Sequence, residues 1–272
     1  MKTFTIGKKK IVLKEEWMVG FITTWIVGLL AHAYRFFNFL PIWDSIYNFT
    51  GVGSTYTLGR WFLGYAGLIT SMFDLPWVNG AFSLFYISIV VILLTEMFEI
   101  KNKGMIVLCA AIFVSFPTVV SSFAYMYTAD AYLLAFLLAT LAVYLTWCVK
   151  KWGTIAGMVC LAFAMGIYQA YATVAIVLVL LYIIRQFVIE KLDFLEAVRK
   201  DLKYLGMLVG GAVLYAFILK ITLIRYNITL PGYQGIGALG IMSLGQYKAA
   251  LQKTLYHFRP VSYTHLTLPT IA

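Results

Sequence analysis

The sequence predicts an all-α, polytopic membrane protein, and three observations carry that reading. The 272 residues are 62% hydrophobic and only 12% charged, with a mean hydropathy of +0.87, against roughly 25% charge in soluble domains. Apolar runs of about 18–20 residues recur along the chain, the length that crosses the hydrocarbon layer at about 1.5 Å rise per residue. Lysine and arginine collect between those runs. The net charge of +10 is therefore assigned to anionic lipid headgroups and not to nucleic acid.

The elements follow in order. Residues 1–16 form a basic cytoplasmic terminus carrying Lys2, Lys8, Lys9, Lys10 and Lys14. No small-residue cleavage site follows, so the first apolar run continues as a spanning helix over about 17–34. A long outer loop, 35–77, comes next. Its part 61–77 is apolar but short, carries Gly64, Gly67, Ser71 and Asp74, ends at Pro76 and is bracketed by Trp61 and Trp77. Aromatic residues favour the headgroup level, so 61–77 is predicted as an interfacial helix. Further spans are predicted at about 78–98, 105–123, 131–149, 153–168, 171–189 and 205–224, about seven in all.

Orientation supports that count. Lys101 with Lys103, Lys150 with Lys151, and Arg185 with Lys191, Arg199, Lys200 and Lys203 make three more basic clusters, and basic loops stay cytoplasmic. All four clusters lie inside only if 61–77 does not cross; the alternative, in which it spans, breaks the charge rule. The stretch "KLDFLEAVRKDLKY" reads as an amphipathic helix lying on the cytoplasmic surface. Residues 225–260 become an outer-face segment. The last stretch, "VSYTHLTLPTIA" at 261–272, has neither the hydrophobicity of a span nor a capped amphipathic pattern, and reads as a non-native tail of a truncated chain.

Little metal or redox chemistry is visible. Cys109, Cys148 and Cys160 fall inside apolar runs and read as small core residues, and His32, His257 and His265 have no ligand spacing. Asn48 and Asn227 match the three-residue glycosylation pattern, a weak signal. Of the eleven acids, only Asp44, Asp74 and Asp130 fall on the outer side. No acid or base sits mid-span, where such groups mark ion or proton pathways. That weighs against a coupled transporter and favours chemistry at the outer rim.

Each outer group has two readings. Asp44, in "FFNFLPIWDSIYNFTGVGSTYTLGRWFLGY", either caps a short helix starting at Ser45 or acts as a general base toward an acceptor hydroxyl. Asp130, in "AYMYTADAY", either caps the 131–149 helix or takes part in catalysis. Arg60 is either an interface anchor beside Trp61 or a planar fork of donors holding a phosphate, with Gly59 allowing close backbone approach. Gly166, Tyr168, Gln169 and Tyr171 sit at an outer hairpin, where hydrogen bonding across the turn competes with sugar contact.

The stretches "LGRWFLGYAGLI", "LPWVNGAFSLFYISIVVILL", "FPTVVSSFAYMYTADAYLLAFLLATLAVYL" and "GIYQAYATVAIVLVLLYIIR", in this order and spacing over about 17–224, resemble the Gtr type II glucosyltransferases, a family of polytopic GT-C enzymes. The resemblance implies a GT-C-like transmembrane domain over 17–224 and transfer of glucose from a polyprenyl-phosphate carrier to a surface glycan such as O-antigen. The active site would lie on the outer face of a bacterial inner membrane. It also implies that the acid of the first outer loop, here Asp44, is catalytic, with Asp130 as a second candidate binding the acceptor or a divalent cation. Arg60, Tyr168 and Gln169 would then contact substrate. Family members commonly carry an acidic pair in the first loop, whereas Asp44 is followed by Ser45. The rival classes are a flippase or transporter for lipid-linked sugars and a non-catalytic membrane subunit. The first would be favoured by an inverted repeat, and none is seen between 78–149 and 153–224.

Overall fold

A computed structural model describes residues 2–6, 9–47, 55–191 and 193–230, with 245, 248–249, 251–253 and 255–256 beyond them. The chain divides into two units, 1–228 and 229–272. The described residues of the second from 245 on are helical; the 261–272 tail, Asn48, His257 and His265 lie outside the described residues.

The first unit opens with an antiparallel hairpin, β1 (Lys2–Ile6) and β2 (Lys9–Leu13), in the register Lys2 opposite Leu13 and Ile6 opposite Lys9. It was not expected from the basic composition of 1–16. Helices follow: α1 (Glu15–Phe37), α2 (Trp43–Tyr47), α3 (Leu63–Ala66), α4 (Pro76–Met97), α5 (Lys103–Ser115), α6 (Pro117–Ser122), α7 (Met126–Cys148), α8 (Gly153–Ile167), α9 (Ala172–Arg185) and α10 (Phe194–Tyr226). Five helical stretches are long and apolar enough to cross a membrane, among them the 46 residues Lys103–Cys148. That stretch doubles back. Pro117 offers no N–H and pushes Phe116 to extended backbone (φ −63°, ψ 140°), the ordinary consequence of a following proline. Phe113 then meets Phe136, 5.3 Å between ring centres, across the corner at 123–126.

Contacts fix the direction of each pass. Trp17 reaches Glu96, and Phe37 meets Trp77, so α1 and α4 are antiparallel. Lys103 pairs with Glu15, and Val114 lies beside His32, so α5 runs parallel to α1. Leu84 and Val91 of α4 pack with Met126 and Leu133 of α7, and Met97 packs with Ala142, so these two are parallel. With α8, α9 and α10, seven segments alternate between two ends among the described residues, as the charge pattern required. The chain is a multi-pass membrane protein. Four interior hydroxyls are satisfied within their own helices: Thr24, Ser88, Thr95 and Thr146 each donate to the carbonyl four residues back at 2.6–2.9 Å, a local solution that suits a solvent without hydrogen bonds.

Three expectations are corrected. The segment 191–204 is not a separate surface helix, because Ala197, Asp201 and Tyr204 are buried and α10 runs unbroken for 33 residues, about 50 Å. The segment 61–77 does not cross, but it is a compact loop with the single helical turn α3, tightened by left-handed backbone at Ser71 and Met72. Cys109 and Cys148 are exposed on helix faces and not in the core.

Candidate functional site

The two ends differ in kind. One gathers the basic clusters: Lys14 pairs with Glu96, Lys103 with Glu15, Arg185 with Glu99 and Lys200 with Glu190. The other end gathers the first loop, the corner at 123–127 and the α8–α9 hairpin, and it is walled with tyrosine. The sequence-predicted residues all fall there.

Loop residues 55–62 are fastened to later helices. α8 has only 15 residues, about 22 Å of rise, and ends short of a full hydrocarbon thickness. Trp61 and Phe62 settle onto its end: the Phe62 N–H donates to the Gly166 carbonyl at 2.8 Å, and any Cβ at Gly166 would meet the Trp61 ring at 2.7 Å. Trp61 is thus 6% exposed, a buried wedge rather than the headgroup anchor expected, whereas Trp77 is 46% exposed. Gly59 adopts φ +72°, and a Cβ there would lie 2.6 Å from Gln169 Nε2 and 2.8 Å from the Tyr215 hydroxyl. Gln169 Nε2 donates to the Leu58 carbonyl at 2.8 Å, and the Tyr215 hydroxyl donates to the Gly59 carbonyl at 3.0 Å. Glycine is required here both by backbone sign and by space.

This knot aims Arg60 inward. Its guanidinium lies 4.5 Å from the centre of the Tyr168 ring, Nη1 donates to the Tyr132 hydroxyl at 3.2 Å, and the buried Nε has no hydrogen-bond partner. Tyr132 and Tyr168 stack at 5.6 Å. An arginine held over an aromatic ring with a donor to spare is a ready contact for an anion. Tyr56, nearby in the same loop, is stacked on Tyr226 at 5.1 Å, and burial together with the Tyr65 and Tyr226 hydroxyls pushes its phenol up to about 12.

Asp44 lies in the first turn of α2 and is exposed. The capping role belongs to its neighbour: buried Ser45 accepts from the Ile42 N–H at 3.0 Å and donates to the Ile42 carbonyl at 2.9 Å. The loop is held by Arg35 at the end of α1, which donates to the carbonyls of Leu40, Phe123 and Ala124.

Asp130 is not a helix cap, since α7 begins four residues earlier. It is 2% exposed, and its two oxygens accept from Asn79 Nδ2 at 3.1 Å and Thr70 Oγ1 at 3.2 Å. Asn79 also accepts from the Leu75 N–H at 2.8 Å, so one cluster joins the loop to α4 and α7. Among the described residues no group of three His, Cys, Asp or Glu could hold a metal ion. Sequence reasoning had passed over Tyr127, Tyr132, Asn79, Thr70 and Tyr215. Asn79, a lone amide in the first turn of "PWVNGAF", was the one visible signal.

The structure thus brings Asp44, Arg60, Tyr168 and Gln169 to one end and seals Asp130 beneath them. Neither a curated protein nor a solved structure matches the chain. Residues 33–265, from the last turn of α1 past the end of α10 and including every loop just described, match the family model described as Glucosyl transferase GtrII, and the chain belongs to that family of glucosyl transferases.

Proposed function

We propose that the protein moves glucose, or a related hexose, from a polyprenyl-phosphate carrier to a cell-surface glycan such as O-antigen, at the outer face of a bacterial inner membrane. The observation that supports this most is the setting of Arg60: a guanidinium over the Tyr168 ring, its buried Nε without a partner, at the aromatic-walled end that also carries the exposed carboxylate of Asp44. The opposite end carries the basic clusters that retain it in the cytoplasm.

In this reading Asp44 takes the proton from the acceptor hydroxyl as its oxygen attacks the anomeric carbon. The bond from that carbon to the phosphate oxygen breaks, and its electron pair stays on the phosphate. Arg60 meets the growing charge with a planar fork of donors, and the ring of Tyr168 keeps that fork oriented. Gln169 acts at one remove, by fixing the backbone before Arg60. Asp130 holds the loop 67–75 against α4 and α7.

The test is glucose transfer from polyprenyl-phosphoglucose in membranes containing the protein, with abundance measured in parallel. Asp44→Asn is expected to lower transfer by about 10²–10⁴-fold at normal abundance, the usual contribution of a positioned base. Asp130→Asn is expected to lower abundance more than transfer per molecule. Retained transfer in the first, with loss in the second at normal abundance, would move the base to Asp130.

A further inference from the structure

The first loop holds a second carboxylate with no place in the chemistry above. Asp74 is 8% exposed, yet neither of its oxygens accepts a hydrogen bond. Arg35 acts on it electrostatically but spends its own donors on the carbonyls of Leu40, Phe123 and Ala124. The start of α4 at Pro76 is two residues on, and a helix N-terminus favours a negative charge. That field lowers the cost of the site without supplying a donor to either oxygen. A buried carboxylate with unmet acceptors is expensive, and native structures retain few of them.

The surroundings narrow what meets those oxygens. Trp77 and Phe73 flank Asp74 in sequence and are partly exposed apolar surfaces, Trp77 braced edge-on by Phe37 at 4.5 Å. Arg35, which acts on Asp74, also ties Leu40 of the first loop to the corner at Phe123 and Ala124. One carboxylate, one guanidinium and an aromatic face suit a neutral polyol: adjacent hydroxyls donate to the two oxygens, and the C–H face of the ring lies on the aromatic. Asp130 is already engaged by Thr70 and Asn79 and so is not a co-ligand beside Asp74, which favours hydroxyls over a divalent ion.

We infer that Asp74 is a sugar-binding residue that accepts hydrogen bonds from two neighbouring hydroxyls of a hexose ring, supplied by either the donor or the acceptor. The inference rests on the glucosyltransferase reading above. Asp74 is a binding residue and takes no proton in the reaction.

Two measurements on the whole protein test it. In membranes, donor and acceptor are varied separately for the wild type and Asp74→Asn. The KM of one substrate is expected to rise about tenfold while kcat changes less than about threefold, from the loss of a charge-assisted pair of hydrogen bonds; whichever KM rises names the sugar held. In detergent, the unfolding midpoint of sugar-free Asp74→Asn is expected to exceed that of the wild type, because a buried charge without hydrogen bonds is gone. Methyl α-D-glucoside is expected to raise the wild-type midpoint and leave the variant's unchanged. Unchanged KM for both substrates, with a lowered midpoint in Asp74→Asn, would make Asp74 a countercharge for Arg35 and overturn the proposal. A wild type that transfers no glucose overturns the functional reading instead, and the glucoside measurement still decides the role of Asp74.

Discussion

The two ends of the bundle use charge in opposite ways. At the basic end, charges are many and several form exposed pairs, with Lys103 and Glu15 each about 60% exposed along their side chains. Such pairs add little to stability; their sum sets which way the chain sits in the membrane. At the aromatic end charges are few, and three of them are bound to a specific geometry: Arg60 on Tyr168, Arg35 on three carbonyls, Asp130 on Thr70 and Asn79. The first end tolerates exchange of one cation for another. The second does not, because its interactions are made by shape as well as by sign.

Arg60→Lys probes that contrast most severely. The charge is kept, but an ammonium cannot reproduce the planar fork or the stacking on Tyr168. Transfer is expected to fall about 10- to 100-fold, matching the roughly 1.5–3 kcal/mol of a charge-assisted hydrogen bond, with the loss seen when donor is varied. Unchanged donor dependence would return Arg60 to the role of an interface anchor and erase the distinction between the ends.

Gly59→Ala sharpens it from the backbone side. A residue forced to φ +72° with its Cβ within 2.6 Å of Gln169 is expected to lose about 1–3 kcal/mol, read as a lower unfolding midpoint, together with weakened donor use as Arg60 shifts. Lys103→Ala sets the floor. No measurable change in midpoint or transfer is expected, and a clear loss of either would show that the basic end does more than orient the chain.

Much of this was legible in the sequence, and the failures have physical causes. The passes and their directions follow from hydrophobic length and from the clusters at Lys14, Lys103, Lys150 and Lys200, because the bilayer imposes both rules on every segment. Trp61 was misplaced because aromatic residues at the membrane edge look alike in sequence whether they face lipid or a neighbour; what decides is Gly166, more than a hundred residues away. Asp130 looked like a cap because its donors, Thr70 and Asn79, are supplied by tertiary contact. The join of 191–204 to α10 was hidden by charge: Asp201 is accommodated by Gln186 Nε2 at 3.1 Å, so a polar stretch that reads as surface is built into the long helix. At the site, Asp44 and Arg60 stood out as rare charges in an apolar chain, whereas the tyrosines around them were lost among the nineteen of the whole sequence.

The knot at Gly59 also sets a timetable. Its two fastenings reach from the first loop to Gln169 and Tyr215, separations of 111 and 156 residues. A ribosome adds roughly 5–20 residues per second, so the loop waits on the order of 10–30 s after its own synthesis before Tyr215 exists to close it. During that interval α4 joins α1, while the segment bearing Arg60 lacks its clasp at Tyr215 throughout and its floor at Gly166 for the larger part. Closure of the aromatic end therefore waits for α10, and contacts so distant along the chain are the slow ones to form. A nascent chain halted before α10 is a protein with its membrane orientation settled and its Arg60 loop still unclasped.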